Sequence, residues 1–163
     1  MFIASGWKDY EVLDTGDGEK LERWGDVVLR RPDPQAIWPK LRPENWGAAD
    51  AHYHRSQKGG GEWEFLRKLP ERWVVSYGRL RFYVRPTGFK HTGLFPEQAA
   101  NWDWMGSLLR KSKKPARVLN LFGYTGGAPI PFLLKPGVES PVIVAFQILP
   151  LIIVFSAISA LLW

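Results

Sequence analysis

Residues 118–127, VLNLFGYTGG, pass from a run of apolar side chains into a cluster of small ones between Gly123 and Gly127. With Arg117 in front, the run to Phe122 reads as a short buried strand that enters a glycine turn. Small residues at the carboxyl end of such a strand let a cofactor approach the backbone closely. The strict dinucleotide fingerprint, with three glycines and an acid about 20 residues on, is absent, so the stretch reads equally as a ligand loop and as an ordinary tight turn.

Upstream, the pattern is that of short elements. Residues 7–31 read as strands broken by Thr15, Gly16, Asp17 and Gly18 and again by Gly25 and Asp26, with Pro32 and Pro34 closing the unit. Residues 43–61 mix Pro43, Asn45, Gly47 and the run Gly59, Gly60, Gly61, which predicts tight turns or a mobile loop rather than a regular element. Residues 72–85, RWVVSYGRLRFYVR, place Gly78 and Arg79 between two stretches rich in Val, Tyr, Phe and Trp, the spacing of a β-hairpin. Pro96, with Glu97 behind it and Arg110, Lys111, Lys113 and Lys114 at the far end, predicts a helix with Trp102, Met105, Leu108 and Leu109 on its core face.

Downstream of Ala128 the composition changes. Residues 142–163, VIVAFQILPLIIVFSAISALLW, carry no charge, and as a helix they would cross a hydrocarbon core about 30 Å thick. A membrane-inserting helix is therefore expected over a buried core helix, with Pro150 as a kink that membrane helices tolerate. The basic residues between Arg110 and Arg117, with Lys135, would leave the front on the cytoplasmic side. The fold class expected is thus an α+β front (short strands, a hairpin, one helix and the first strand of a truncated Rossmann-like domain) followed by a C-terminal hydrophobic helix. The corresponding domains are a β-rich region over 1–95, the start of a Rossmann-like domain over 96–128 and a hydrophobic tail over 129–163.

Charge and composition narrow the chemistry. The net charge is +6, and because residues 129–163 contain only Lys135 and Glu139, which cancel, the whole excess lies in front. A basic front attracts polyanions such as RNA. There is no cysteine, which excludes disulfides, thiolate metal sites and a cysteine nucleophile. Residues 1–10 carry Lys8 and Asp9 without an apolar run, which is unlike a secretory signal. The tryptophans are spread along the front, which favours packing over base stacking. His52, His54 and His91 match no zinc spacing, and Asp50 and Glu62 read as ordinary loop residues, so no metal is expected. Glu62 and Glu64 would share one face of a strand, and a solvated face is the default for them.

Four stretches together carry a resemblance: GDGEKLERWGDVVLRRPDPQAIWP (16–39), HRSQKGGGEWEF (54–65), RPTGFKHTGLFPEQAANWDW (85–104) and VLNLFGYTGGA (118–128). They resemble the front of a class I S-adenosylmethionine-dependent methyltransferase of the large-subunit ribosomal RNA type. The resemblance implies a small N-terminal region before a Rossmann-like domain, S-adenosylmethionine (SAM) as cofactor, RNA as partner and a cytoplasmic location. It implies that Asn120, Phe122, Tyr124, Thr125, Gly126 and Gly127 lie at the cofactor, with His91, Thr92, Gly93, Phe95 and Gln98 bordering the same pocket. It identifies no catalytic residue. After Ala128 the family pattern stops, without its ribose-binding acid, its Pro-rich catalytic loop or the rest of its sheet, so weak or no turnover is expected.

Residues 123–163 are similar instead to a segment of concentrative nucleoside transporters, which implies that Gln147, Pro150 and Ser156 lie in or beside a membrane segment. The alternative expectation is therefore a membrane fragment related to such a carrier. A chain joined from both sources at the GYTGGA stretch would account for the junction.

Overall fold

The computed structural model describes residues 3–57, 59–112, 118–120, 142–148 and 151–156. They form two compact units, one of Gly6–Leu94 and one of Met1–Ser5 with Phe95–Trp163.

The first unit is built on a five-stranded sheet in the order β1-β2-β3-β4-β5. Strands β1 (Tyr10–Gly16), β2 (Glu19–Trp24) and β3 (Val27–Pro32) form an antiparallel meander. Its turns fall where the chain supplies residues able to take positive φ: Asp17 (51°) and Gly18 (75°) join β1 to β2, and Gly25 (65°) joins β2 to β3. β4 (Ala51–Arg55) then pairs parallel to β3, and β5 (Gly61–Phe65) pairs antiparallel to β4. The parallel step needs a crossover, which residues 33–50 supply, including a 3-10 helix over Pro43–Ala48. Regular strand structure at 51–55 is a departure from the expectation of turns over 43–61. The alternating run AHYHR is short, and its partners lie at β3 and β5 rather than in its neighbours, so local composition conceals it.

Alternation gives this sheet two different faces. On one, Leu21 packs with Trp46 and Ala49 of the crossover and with Leu13 and Val28. On the other, Trp24, Leu29, Ala51 and Tyr53 are buried. Trp63 on β5 stands opposite Tyr53, with the rings edge to face at 5.4 Å. A separate hairpin of β6 (Trp73–Tyr77) and β7 (Leu80–Val84) turns through Gly78 and Arg79, as the sequence spacing predicts. The Trp73 indole N–H donates to the Trp24 carbonyl at 2.8 Å and fastens the hairpin to the end of the meander.

In the second unit a 3-10 turn over Pro96–Gln98 leads into α1 (Ala99–Lys111), where Ala99, Trp102 and Gly106 are the buried positions. Leu108, expected on the core face, is 49% exposed. β8 (Val118–Asn120) pairs parallel to β9 (Val142–Ile148), and β9 pairs antiparallel to β10 (Leu151–Ser156). This corrects the expectation of a C-terminal hydrophobic helix over 142–163. Among the described residues no helix is long and apolar enough to cross a membrane. The physical reason lies in the composition: VIVAFQI and LIIVFS are rich in β-branched residues, and Pro150 between them cannot continue a helix without breaking its hydrogen bonds. An uninterrupted apolar run has no periodicity that tells a membrane helix from buried strands. β8 therefore has a parallel neighbour, where an unpaired first strand was expected.

Candidate functional site

The residues singled out in the sequence divide among three places. His91, Thr92 and Gly93 close the first unit on the return leg of the loop that follows β7. The loop is fastened along its length: Arg85 N–H donates to the Thr92 carbonyl at 3.2 Å, and the Thr87 hydroxyl donates to the His91 carbonyl at 2.8 Å. Trp63 on β5 donates its indole N–H to the Thr87 carbonyl at 2.8 Å, and Arg31 on β3 donates to the Lys90 carbonyl at 2.8 Å. The sheet thus sets the position of this loop through two side chains rather than through strand pairing. Thr92 is 1% exposed, and its hydroxyl has no hydrogen-bond partner among the described residues. Leaving a buried hydroxyl unsatisfied costs about 1–3 kcal/mol. The Trp24 indole N–H is likewise buried without a hydrogen-bond partner among the described residues. Gly93, at φ 90°, has open space where a Cβ would project.

Phe95 and Gln98 open the second unit. The Phe95 carbonyl accepts the Gln98 N–H at 3.1 Å, which forms the 3-10 turn, and the Gln98 side chain is exposed, where its Oε1 accepts the Asn101 amide at 2.9 Å. Asn120 is the last residue of β8, opposite Val144 of β9 in register. Phe122, Tyr124, Thr125, Gly126 and Gly127 lie outside the described residues. β8 pairs parallel to β9, and in open sheets with parallel strands ligands bind at the carboxyl ends of the strands, which for β8 is Asn120.

The electrostatics of the first unit are dominated by carboxylates held ionised. Glu22 is fully buried, yet its oxygens meet Tyr10 Oη at 2.7 Å, Arg31 Nη2 at 2.6 Å and Lys20 Nζ at 3.3 Å. Burial alone would raise its pKa; the charges of Arg31 and Lys20 and the two hydrogen bonds outweigh it and lower it. Glu19, on the opposite face, takes a two-pronged contact from Arg30 and single contacts from Lys40 and His52. Against the upward push of burial these lower its pKa to about 2. Asp14 at the β1 bulge accepts the Trp46 indole N–H at 2.8 Å and the backbone N–H groups of Thr15, Leu41 and Arg42, and these lower its pKa in spite of burial. His52 is shifted down, first by burial and then by the Arg30 charge.

Sequence reasoning missed one constellation. His52 and His54 of β4 and Glu64 of β5 offer ligand-type atoms that all lie within 4.8 Å of one another. His91, grouped with the two histidines in the sequence, is not part of it, and the acid that completes it is Glu64 rather than Asp50 or Glu62. The available signal was the H-x-H spacing in a strand, but naming its acid requires the β4–β5 register.

Comparison with solved structures follows from this geometry. Over 78% of its length the chain is 41% identical to the SAM-dependent methyltransferase from Agrobacterium tumefaciens, with a TM-score of 0.71. Its fold is that of part of a SAM-dependent methyltransferase. Two further structures share the fold at 18% identity and a TM-score of 0.57 over 83% of the chain: a Streptococcus mutans protein assigned as a SAM-dependent methyltransferase, and SMU.776, assigned as a methyltransferase and complexed with SAH. The chain spans about two fifths of the length of these methyltransferases, between 38% and 41%. No family model and no curated protein matches it. Nothing in these comparisons supports the transporter resemblance or a chain joined from two sources.

Proposed function

We propose that the chain forms part of a SAM-dependent RNA methyltransferase and contributes cofactor-contacting residues to it. The observation that carries this reading is the 41% identity over 78% of the chain to the Agrobacterium tumefaciens methyltransferase. The proposed contacts are Asn120 at the end of β8 and Phe122, Tyr124, Thr125, Gly126 and Gly127 after it in sequence, together with His91, Thr92, Gly93, Phe95 and Gln98. The buried, unpartnered Thr92 hydroxyl and the position of Asn120 at the carboxyl end of a parallel strand fit such a group.

Bound SAM supplies a methyl group made electrophilic by its sulfonium. The residues of this chain would hold and orient it: glycines at 126 and 127 let backbone N–H groups come close, and Asn120 offers a side-chain amide at the strand's end. That chemistry would be transfer of the methyl to a nucleophile of the acceptor, the new bond to carbon forming as the carbon–sulfur bond breaks and its electron pair stays on sulfur. Alignment is the protein's main contribution to such a step. RNA as acceptor, and ribosomal RNA by resemblance, is supported by the net charge of +6, all of it carried before residue 129.

Calorimetric titration of the full chain with SAM and with SAH tests the reading. Saturable micromolar binding is expected, weakened up to about tenfold by Asn120→Ala, since a lost hydrogen bond costs about 0.5–1.5 kcal/mol. Absence of saturable heat with either ligand would remove the proposal.

A further inference from the structure

The sheet carries a second constellation that the methyltransferase reading does not use. His52 and His54, two apart on β4, stand on the same face, and Glu64 is opposite His52 in the antiparallel register of β4 and β5. The imidazoles lie 3.9 Å apart between ring centroids, and His54 Nε2 is 2.7 Å from Glu64 Oε2. We propose that His52, His54 and Glu64 form a binding site for a divalent transition-metal cation of the zinc type.

Three features support the assignment. The first is the donor set: two imidazole nitrogens and one carboxylate suit Zn2+ and its first-row neighbours, whereas Mg2+ and Ca2+ prefer oxygen alone. The second is the support behind it. His52 Nε2 lies 2.9 Å from Glu19 Oε1, and Glu19 is itself held by Arg30 and Lys40; in the tautomer with its proton on Nε2 the ring donates to Glu19 and keeps the Nδ1 lone pair for an ion. A carboxylate behind a ligating histidine is the usual device for fixing ring orientation and tautomer. Arg30 and Lys40, both paired with Glu19, have their charges met by that carboxylate.

The third feature is access. The side chains of His54 and Glu64 are 48% and 54% exposed, so an ion reaches them without opening the core. The two strands are also held at close approach by Gly61, where any Cβ would collide with the His54 carbonyl oxygen. A bound ion would replace the His54–Glu64 hydrogen bond with two metal–ligand bonds and clamp β4 to β5.

The test is calorimetric titration of the EDTA-stripped full chain with ZnCl2 alone, repeated with MgCl2 and with the variants His54→Ala and Glu64→Gln. One Zn2+ per chain with low-micromolar affinity is expected, weakened about tenfold or more in each variant, with no heat from Mg2+. Co2+, used as a visible probe, should give ligand-field bands that both substitutions abolish. Both positions are half exposed, so circular dichroism of the variants should match the parent and separate loss of ligand from loss of fold. Absence of saturable Zn2+ binding, or binding unchanged in both folded variants, would overturn the proposal.

Discussion

Glu19 and Glu22 stand three residues apart on β2 and, because strand side chains alternate, on opposite faces of one sheet. Each pairs with an arginine of β3, Glu19 with Arg30 and Glu22 with Arg31. The Glu22–Arg31 pair is dry: its side chains are 0% and 6% exposed, and Arg31 also lies over the Trp24 ring and donates to the Lys90 carbonyl. The Glu19–Arg30 pair is partly open, and its network runs through Lys40 and His52 to the edge where His54 and Glu64 meet water. Similar pairings therefore do different work. On the dry face the charges satisfy each other, and Arg31 also holds the Lys90 carbonyl of the loop that follows β7. On the wetter face the network orients groups that remain able to bind something else.

Removing one partner on the dry face should have the largest effect. Glu22→Ala leaves the Arg31 guanidinium buried without its carboxylate, and such a break costs about 3–5 kcal/mol. Urea unfolding should show the midpoint falling by a corresponding amount, and a loss below about 1 kcal/mol would mean that the face is not dry.

An intermediate effect is expected from acid. Glu19 has its pKa lowered from 4.5 to about 2 in the fold, so its contribution is complete above 4.5 and is lost as pH falls toward about 2. His52 acts in the same sense from a higher start: held neutral in the fold, it is protonated more readily when unfolded, which costs stability as pH drops below 6.5. The Glu19 share is about 2 kcal/mol after solvent screening. Stability measured from pH 7 to pH 2 should fall, and Glu19→Gln should flatten the part below 4.5; an unchanged profile in that variant would place the acid sensitivity elsewhere.

The smallest effect belongs to the exposed end. His54→Ala removes a half-exposed contact to Glu64, and in metal-free buffer its unfolding midpoint should stay within about 0.5 kcal/mol of the parent. A larger loss would show that the wet edge, like the dry face, is structural.

How much of this was legible beforehand depended on the range of the interaction. Asp17, Gly18 and Gly25 marked the meander turns, Gly78 and Arg79 the hairpin, and Pro96 the start of the helical segment, because each acts through its own backbone geometry. The motif that follows β8 carried a proposal through its resemblance, and five of its proposed contacts, Phe122, Tyr124, Thr125, Gly126 and Gly127, lie outside the described residues. The strand at 51–55 was hidden because its neighbours in the sheet are distant in sequence, and residues 142–156 were misread because a long apolar run looks alike as helix and as paired strands.

Turn chemistry, charge distribution and the motif VLNLFGYTGG follow from the order of residues alone, since they need no partner from elsewhere in the chain. Pairing register is another matter. It brought Glu19 to His52 across 33 residues and Glu64 to His54, and it sent Glu22 to a dry face and Glu19 to a wet one. A one-residue slip would exchange those faces, and the burial of Leu21, Trp24 and Leu29 in the sheet makes that slip costly.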